Sequence, residues 1–475
     1  MGNLANQLCE SIRAADETAR FHLDIFSRLV YADFVERNGD ANRAAAIRLH
    51  AAIEESRPGL LLGPGKVRAW PPGPMEGWRQ RIIPGYGRLA RLWNRYARTW
   101  RAIFRLSVGR NISFRAGLPW RFEGGTDAWP AKPRGELRVI RSWKLWAPAG
   151  HGPPSFPQGM LAGALEVSLA GPGWRGHVAR LLDSGIIPSD IVSLGITDGA
   201  LEAVSAREIL ERPWPRLRRF DASANILRAE GAAEVWSLMS KTGIREIDLS
   251  RNNIGWGTEF FRDGGPPRLR VLRFAGNHAE ARGTRIMAGA PCLGSLESID
   301  WMGNSLAEHG AHAIAGWHAP SLRRLSLGSN HLGPDGAENI ARARWMGRLV
   351  ELDLAENSLR DEGMGKLAPS LGHRLKMLGL ESNLLGGDSA GFLAACASRE
   401  SLVWLEIGRN GLSSDGISKL STETWPRLRY AGLMLNDIPP GASCPADRFP
   451  RLAPLRLARP GRPGDPGLGS PRLDP

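Results

Sequence analysis

The sequence predicts an α/β solenoid in which short parallel strands line a concave face and helices line a convex one, with a small helical segment at the N-terminus. Three observations carry that expectation. A phrase built on Leu-x-Leu and closed by asparagine recurs nine times between residues 217 and 436. The asparagines, Asn225, Asn252, Asn277, Asn304, Asn330, Asn357, Asn383, Asn410 and Asn436, follow one another every 25 to 27 residues. Behind most of them come apolar and small residues at helical spacing, so each period holds one strand and one helix. Apolar residues make up 42% of the 475, enough for a core that neighbouring coils share, because no single coil buries enough surface to fold alone.

The N-terminal element, residues 1–56, is mildly acidic, with 6 basic and 9 acidic side chains. Within it 28–53 reads as two short helices. Leu29, Val30, Phe34 and Val35 form one apolar stripe, Asn38-Gly39-Asp40 a turn with a following cap, and Ala45, Ile47, Leu49 and Ile53 continue the pattern. The phrase RLVYADFVERNGD, followed by Ala, Ile, Arg and Leu, resembles the short repeat-companion domain that precedes repeat arrays in some bacterial proteins. That resemblance implies a bacterial repeat-array protein and carries no chemistry.

Residues 57–160 hold 19 basic and 4 acidic side chains, which is essentially all of the net charge of +14. Gly and Pro punctuate them (PGLLLGPGK, WPPGPMEG, WAPAGHGPPSFP), predicting a basic, irregular connector that caps the array and contains one amphipathic helix near 87–108. On that helix Arg88, Arg91, Arg95, Arg98, Arg101 and Arg105 recur at spacings of three and four, beside an apolar face that includes Trp93, Tyr96 and Trp100. Two readings stay open. The guanidinium forks suit a nucleic acid or another polyanion, or the helix is a solvated cationic face whose tryptophans cap the first coil.

The repeats occupy 161–436, most clearly 217–436, where basic and acidic side chains balance. LVELDLAENSL at 349–359 is the cleanest copy, and Ile191, Leu194 and Ile196, then Leu165 and Val167, mark degenerate earlier ones. Alternation points Leu352 and Leu354 inward, and Glu351, Asp353 and Ala355 outward. Beyond the asparagine, Asp335, Asp361, Asp388 and Asp415 sit at expected helix starts. Ala232 with Val235, Ala311 with Ile314, Ala337 with Ile340 and Ala390 with Leu393 form the inward helix face; Met287, Leu367 and Leu420 hold the later of these two places in their coils. An amide at the strand exit satisfies both donors and acceptors of the turning backbone, so the asparagines are read as a structural ladder. The phrase resembles the leucine-rich repeat, LxxLxLxxNxL, and its helical second half makes it most similar to the ribonuclease-inhibitor-like class. Residues 437–475, rich in Pro and Arg, read as a flexible tail that either folds over the last coil or leaves it open.

No HExxH, GxxxxGK[ST] or CxxC spacing occurs, and the four cysteines lie far apart. His309 and His312 beside Glu308 are expected to face solvent. The expectation is a protein without catalysis, metal or cofactor. It is also expected to be cytoplasmic, since no apolar run spans a membrane and the first residues carry no export signal. Function then falls to outward positions of the concave face. Met377, Trp404 and Tyr430 in consecutive coils, with Met434 nearby, are expected to form an exposed apolar patch, and Asp248, Asp300, Asp353 and Glu406 an acidic column facing water. These residues suit a protein or peptide partner. Nucleic acid binding through the arginine helix is the alternative, and regulation of a GTPase is an analogy of fold that no residue identifies. Partner identity and oligomeric state are not written in the sequence.

Overall fold

A computed structural model describes residues 44, 45, 48, 112–115, 118–125, 142–149, 161, 164–201 and 203–437. Most of the repeat-companion-like stretch, the arginine helix with Arg88, Arg91, Arg95, Arg98, Arg101 and Arg105, and the tail beyond residue 437 lie outside the described residues. The chain packs as two compact units, residues 1–305 with 317–325 and residues 306–316 with 326–475.

In the first unit nine strands are hydrogen-bonded in chain order: β1 (Ile112–Arg115), β2 (Leu118–Gly125), β3 (Ser142–Trp146), β4 (Glu166–Ala170), β5 (Ser193–Thr197), β6 (Arg219–Asp221), β7 (Glu246–Asp248), β8 (Val271–Arg273) and β9 (Ser298–Asp300). β1 and β2 are antiparallel; every later pair is parallel. Helices α1 (Val178–Asp183), α2 (Ala203–Leu210), α3 (Arg228–Ser240) and α4 (Glu280–Met287) alternate with the strands from β4 onward. The coil between Asn252 and Asn277 has no α-helix. Its glycines and prolines allow only a 3-10 turn, Glu259–Arg262, whose Phe260 and Phe261 enter the core against Trp236. Phe261 also meets Phe274, and Phe274 stacks on Trp301 at 4.6 Å.

In the second unit β11 (Glu351–Asp353), β12 (Met377–Gly379), β13 (Trp404–Glu406) and β14 (Tyr430–Gly432) are parallel and in register. They alternate with α5 (Ala307–Ala315), α6 (Gly333–Ala341), α7 (Arg360–Leu367), α8 (Gly387–Ala395) and α9 (Ser414–Leu420); β10 (Arg324–Ser326) spans the sequence position at which the units divide. Leu352, Leu354, Ile314, Ile340, Leu367, Leu393 and Leu420 are buried in the shared core. One fully buried isoleucine or leucine contributes about 1.5–3 kcal/mol, and each coil repeats that contribution.

One expectation is corrected. Residues 57–160 are not wholly irregular around one helix, because β1, β2 and β3 lie there. In β3, Trp143 and Leu145 are buried while Trp146 is exposed, a period of two that is too short to stand out between Gly- and Pro-rich flanks. The acids expected at helix starts are found there, without capping their own helices. Asp335, Asp361, Asp388 and Asp415 lie in the first turns of α6, α7, α8 and α9, and none of those helices has a side-chain cap. The ladder asparagine of the next coil does that work. Asn357 Oδ1 accepts the N–H of Leu332 at 3.3 Å, and its carbonyl accepts that of Gly333 at 3.0 Å, at the start of α6. Asp361 instead reaches forward one coil, accepting the N–H groups of Gly386 and Ser389 at 2.7 and 3.1 Å.

The asparagine bonds repeat within each unit. Asn357 donates to Leu327, Leu354 and Ala355 carbonyls at 2.9–3.1 Å and accepts the N–H of Asn330 at 3.0 Å. In the first unit Asn252 likewise donates its side-chain amide to the Ala222 and Leu249 carbonyls, and its backbone N–H donates to Asn277 Oδ1. From Asn252 to Asn383 these side chains are fully buried; Asn436, in the last coil, is half-buried. The residue before the asparagine is left-handed in each of these coils, at φ 55° in Ser382 and 57° in Glu356, while two coils place Gly276 and Gly303 there.

Candidate functional site

The candidate surface is the strand face of each unit, built from the side chains that alternate with the core leucines. In the first unit the register sets Asp221 beside Asp248, Asp248 beside Arg273 and Arg273 beside Asp300. Next to this column, Arg219 pairs with Glu166, and Glu246 lies 4.0 Å from Arg273. Burial and the neighbouring Asp248 carboxylate push Asp221 up to about 6.

In the second unit the middle column alternates acid and glycine: Asp353, Gly379, Glu406, Gly432. Each glycine leaves room into which the acid leans. A Cβ at Gly379 would meet Asp353 Oδ1 at 2.6 Å, and one at Gly432 would collide with Glu406 Oε2. Burial pushes Asp353 up to about 6 and also raises Glu406. Beside the acids, Met377, Trp404 and Tyr430 lie in register on adjacent strands. The Trp404 and Tyr430 rings stack at 5.5 Å and 15°, and Tyr430 Oη donates to Glu406 Oε2 at 2.9 Å.

The acids have a local task that the sequence reading missed. Asp221 Oδ1 accepts the N–H of Ser223 at 3.0 Å, and Asp248, Asp300, Asp353 and Glu406 each accept the N–H two residues on, at 3.0–3.1 Å. A carboxylate so placed ends the strand by satisfying the second amide beyond it, as Asx turns do. An acid at the last strand position, followed at once by the turn, was the available signal.

Exposure corrects the expected patch. Met377 and Trp404 are buried, Trp404 to 2% exposure, and only Met434 of the four apolar residues is exposed, at 54%. Asp300 and Asp353 are buried as well, whereas Asp248, Glu406 and Tyr430 are half-buried. Parallel strands about 4.8 Å apart set neighbouring side chains flank to flank, so outward alternation does not by itself mean contact with water. Leu435, next to Met434, is exposed at 66%.

One catalytic-looking phrase was overlooked in the sequence. Gly387-Asp388-Ser389-Ala390-Gly391 has the GxSxG spacing of a nucleophile elbow. Here it forms the first turns of α8, several residues beyond β12, and Ser389 is buried with its hydroxyl bonded to Asp361. That arrangement holds two coils together. His309 and Glu308 are exposed, and among the described residues no group of three or more His, Cys, Asp or Glu could hold a metal. No helix among them is long and apolar enough to cross a membrane.

A family model described as a leucine-rich repeat matches residues 318–341 and 349–368. Mouse ribonuclease inhibitor is 31% identical over 134 residues, covering 26% of this chain and 29% of that protein. Mouse NACHT, LRR and PYD domains-containing protein 12 is 29% identical over 218 residues, covering 43% of this chain and 20% of that protein. The chain therefore spans less than a third of the length of either relative. Among solved structures, the yeast Rad7 and Elc1 complex aligns over 90% of this chain and 97% of that one, with a TM-score of 0.50 and 13% identity, a likeness of fold alone. LegL7 of Legionella pneumophila aligns over 60% of this chain and all of its own, with a TM-score of 0.41 and 17% identity. Strand, asparagine turn and helix, recurring in phase, give the chain the fold of an α/β leucine-rich-repeat solenoid whose repeats are similar to those of ribonuclease inhibitor.

Proposed function

We propose that the protein is non-catalytic and binds a protein or peptide partner through its strand face. Solenoids of this kind generally work by offering a long surface of regularly spaced side chains to another protein. The observation that carries the reading is the exposed pair Met434 and Leu435 beside half-buried Tyr430, at the end of a face whose other apolar side chains are closed. Exposed apolar residues grouped around an aromatic ring are the usual anchors of such contacts, and methionine adapts its shape to the partner. Half-buried Glu406, on the same unit, favours a partner with cationic groups.

The test is affinity capture on the immobilised full chain, comparing wild type with Tyr430→Ala plus Met434→Glu, followed by measurement of affinity for the captured protein. Loss of about 3 kcal/mol, the scale of one or two truncated anchors, is expected. Unchanged affinity refutes the reading.

A further inference from the structure

We propose that the rim of the first unit where its strands begin is a second docking surface, one that takes an acidic α-helix of a partner protein along the row Arg218, Arg245 and Arg270. It stands apart from the strand-face reading above, which concerns the second unit, and it calls for a partner segment of the opposite charge.

The backbone fixes the row. Each of the three arginines immediately precedes its strand, β6, β7 or β8. The N–H of Arg245 donates to the Arg218 carbonyl and that of Arg270 to the Arg245 carbonyl, both at 2.8 Å, so the three sit on adjacent strands. Parallel strands repeat about every 4.8 Å, which makes the row about 10 Å long. Arg245 and Arg270 are exposed; Arg218 is half-buried, its guanidinium donating to the Leu217 carbonyl at 2.9 Å. Exposed Lys241, at the end of α3, leads into β7, and exposed Arg268 leads into β8.

Few acids answer these charges. Glu297, one strand further on, pairs with Arg270 at 3.2 Å, and Asp190 pairs with Arg216 at 3.5 Å. Asp263 has Arg262 beside it in the chain. Among the described residues Lys241, Arg245 and Arg268 make no ion pair. Basic and acidic side chains balance over the repeats, so the cations gather here and are not a general excess. Nor does the coil require them. In the second unit the equivalent row runs Val350, Lys376, Val403, Arg429, with an apolar residue between the cations.

Spacing and chemistry select the occupant. Unmatched exposed cations in one row attract an anion of matching repeat, and guanidinium forks suit carboxylates. Glutamates three and four residues apart on a helix lie about 5–6 Å from one another along one stripe, close to the pitch of the row. Side chains on one face of an extended strand lie about 6.7 Å apart and fall out of step by the third. A single-stranded nucleic acid is bound largely by stacking its bases on aromatic rings, and Trp214, which lies two residues before Arg216, is buried. An acidic helix therefore fits the row better than an extended acidic segment or a nucleic acid strand.

The experiment is phenylglyoxal modification of the full chain, with each arginine read by mass spectrometry, so that the rim is seen apart from the cations of residues 57–160. The probe is a synthetic helical peptide of repeated Glu-Ala-Ala-Ala, which sets its glutamates on one stripe. Exposed Arg251, on the turn beyond β7, is the internal standard. Peptide at about ten times its Kd should slow modification of Arg245 and Arg268 about tenfold, in proportion to the unoccupied fraction, and leave Arg251 unchanged. Arg245→Glu with Arg268→Glu should raise the peptide concentration that protects Arg270 about tenfold, the scale of two exposed ion pairs. Arg245→Lys with Arg268→Lys keeps the charge and should keep most of the protection, which tests the surface even if the first variant fails to fold. Three outcomes each overturn the proposal: Arg245 and Arg268 modified at the same rate with and without the peptide, equal protection by a peptide of the same composition with its glutamates shuffled around the helix, or stronger protection by oligo(dT). None of them bears on the strand face of the second unit, which Tyr430→Ala plus Met434→Glu tests separately.

Discussion

Replacing Asn357 by Ala removes one rung of the ladder, and the structure says which bonds matter. The fully buried side chain makes three donor contacts and accepts the N–H groups of Asn330 and Leu332. Its three acceptors keep other partners: Leu327 still receives Asn330 Nδ2, Leu354 receives Asn383 Nδ2, and Ala355 receives the N–H of Ser329. The two N–H groups lose the amide oxygen that accepts them both. Each orphaned buried donor costs about 1–3 kcal/mol, so the substitution should destabilise by about 2–6 kcal/mol. Asn436→Ala is the control. That side chain is half-buried and, among the described residues, its oxygen accepts the N–H of Leu412, so the cost should be about 1 kcal/mol. Urea unfolding by circular dichroism compares the midpoints. Because repeat arrays need not unfold in one step, hydrogen exchange at Asn330 and Leu332 supplies a local measure, and both amides should lose protection. If Asn357→Ala lies within about 0.5 kcal/mol of wild type, or matches Asn436→Ala, the ladder does not carry the turns.

Three further outcomes follow from the same geometry. Asp353 takes up its proton more readily folded, at about 6, than at the ordinary value of 3.8. The group therefore adds stability as pH falls from about 6 towards 4, by up to about 3 kcal/mol, and none of that gain is present at pH 7. Asp353→Asn should flatten that part of the stability profile in melts across pH, and a profile identical to wild type contradicts the assignment. Ser382→Gly should raise stability by about 1 kcal/mol, because a left-handed residue with a Cβ is strained and Ser382 holds φ 55°; a lower unfolding midpoint counts against it. Gly432→Val should drive Glu406 from its place and break the bond from Tyr430, lowering the melting temperature while far-UV circular dichroism at low temperature is kept. An unchanged melting temperature shows that the space over Gly432 is not filled.

The sequence alone determined the repeat. The spacing of the asparagines, the inward Leu352 and Leu354 and the helix faces at Ile340 and Leu367 are local patterns of period two and near four, and strands and helices impose those periods wherever they form. It also located outward positions on the strands, including Tyr430 and Glu406. Tertiary structure decided the rest, because it turns on which coil lies beside which. The register set Trp404 between Met377 and Tyr430 and turned an expected exposed patch into a closed one. It gave Asn357 the task of starting the helix of the coil before it, and it let Asp353 and Glu406 lean over glycines of the coil after them. β1 to β3 escaped notice because none of them carries the recurring asparagine phrase that marks the later strands, and Gly and Pro crowd the sequence around them.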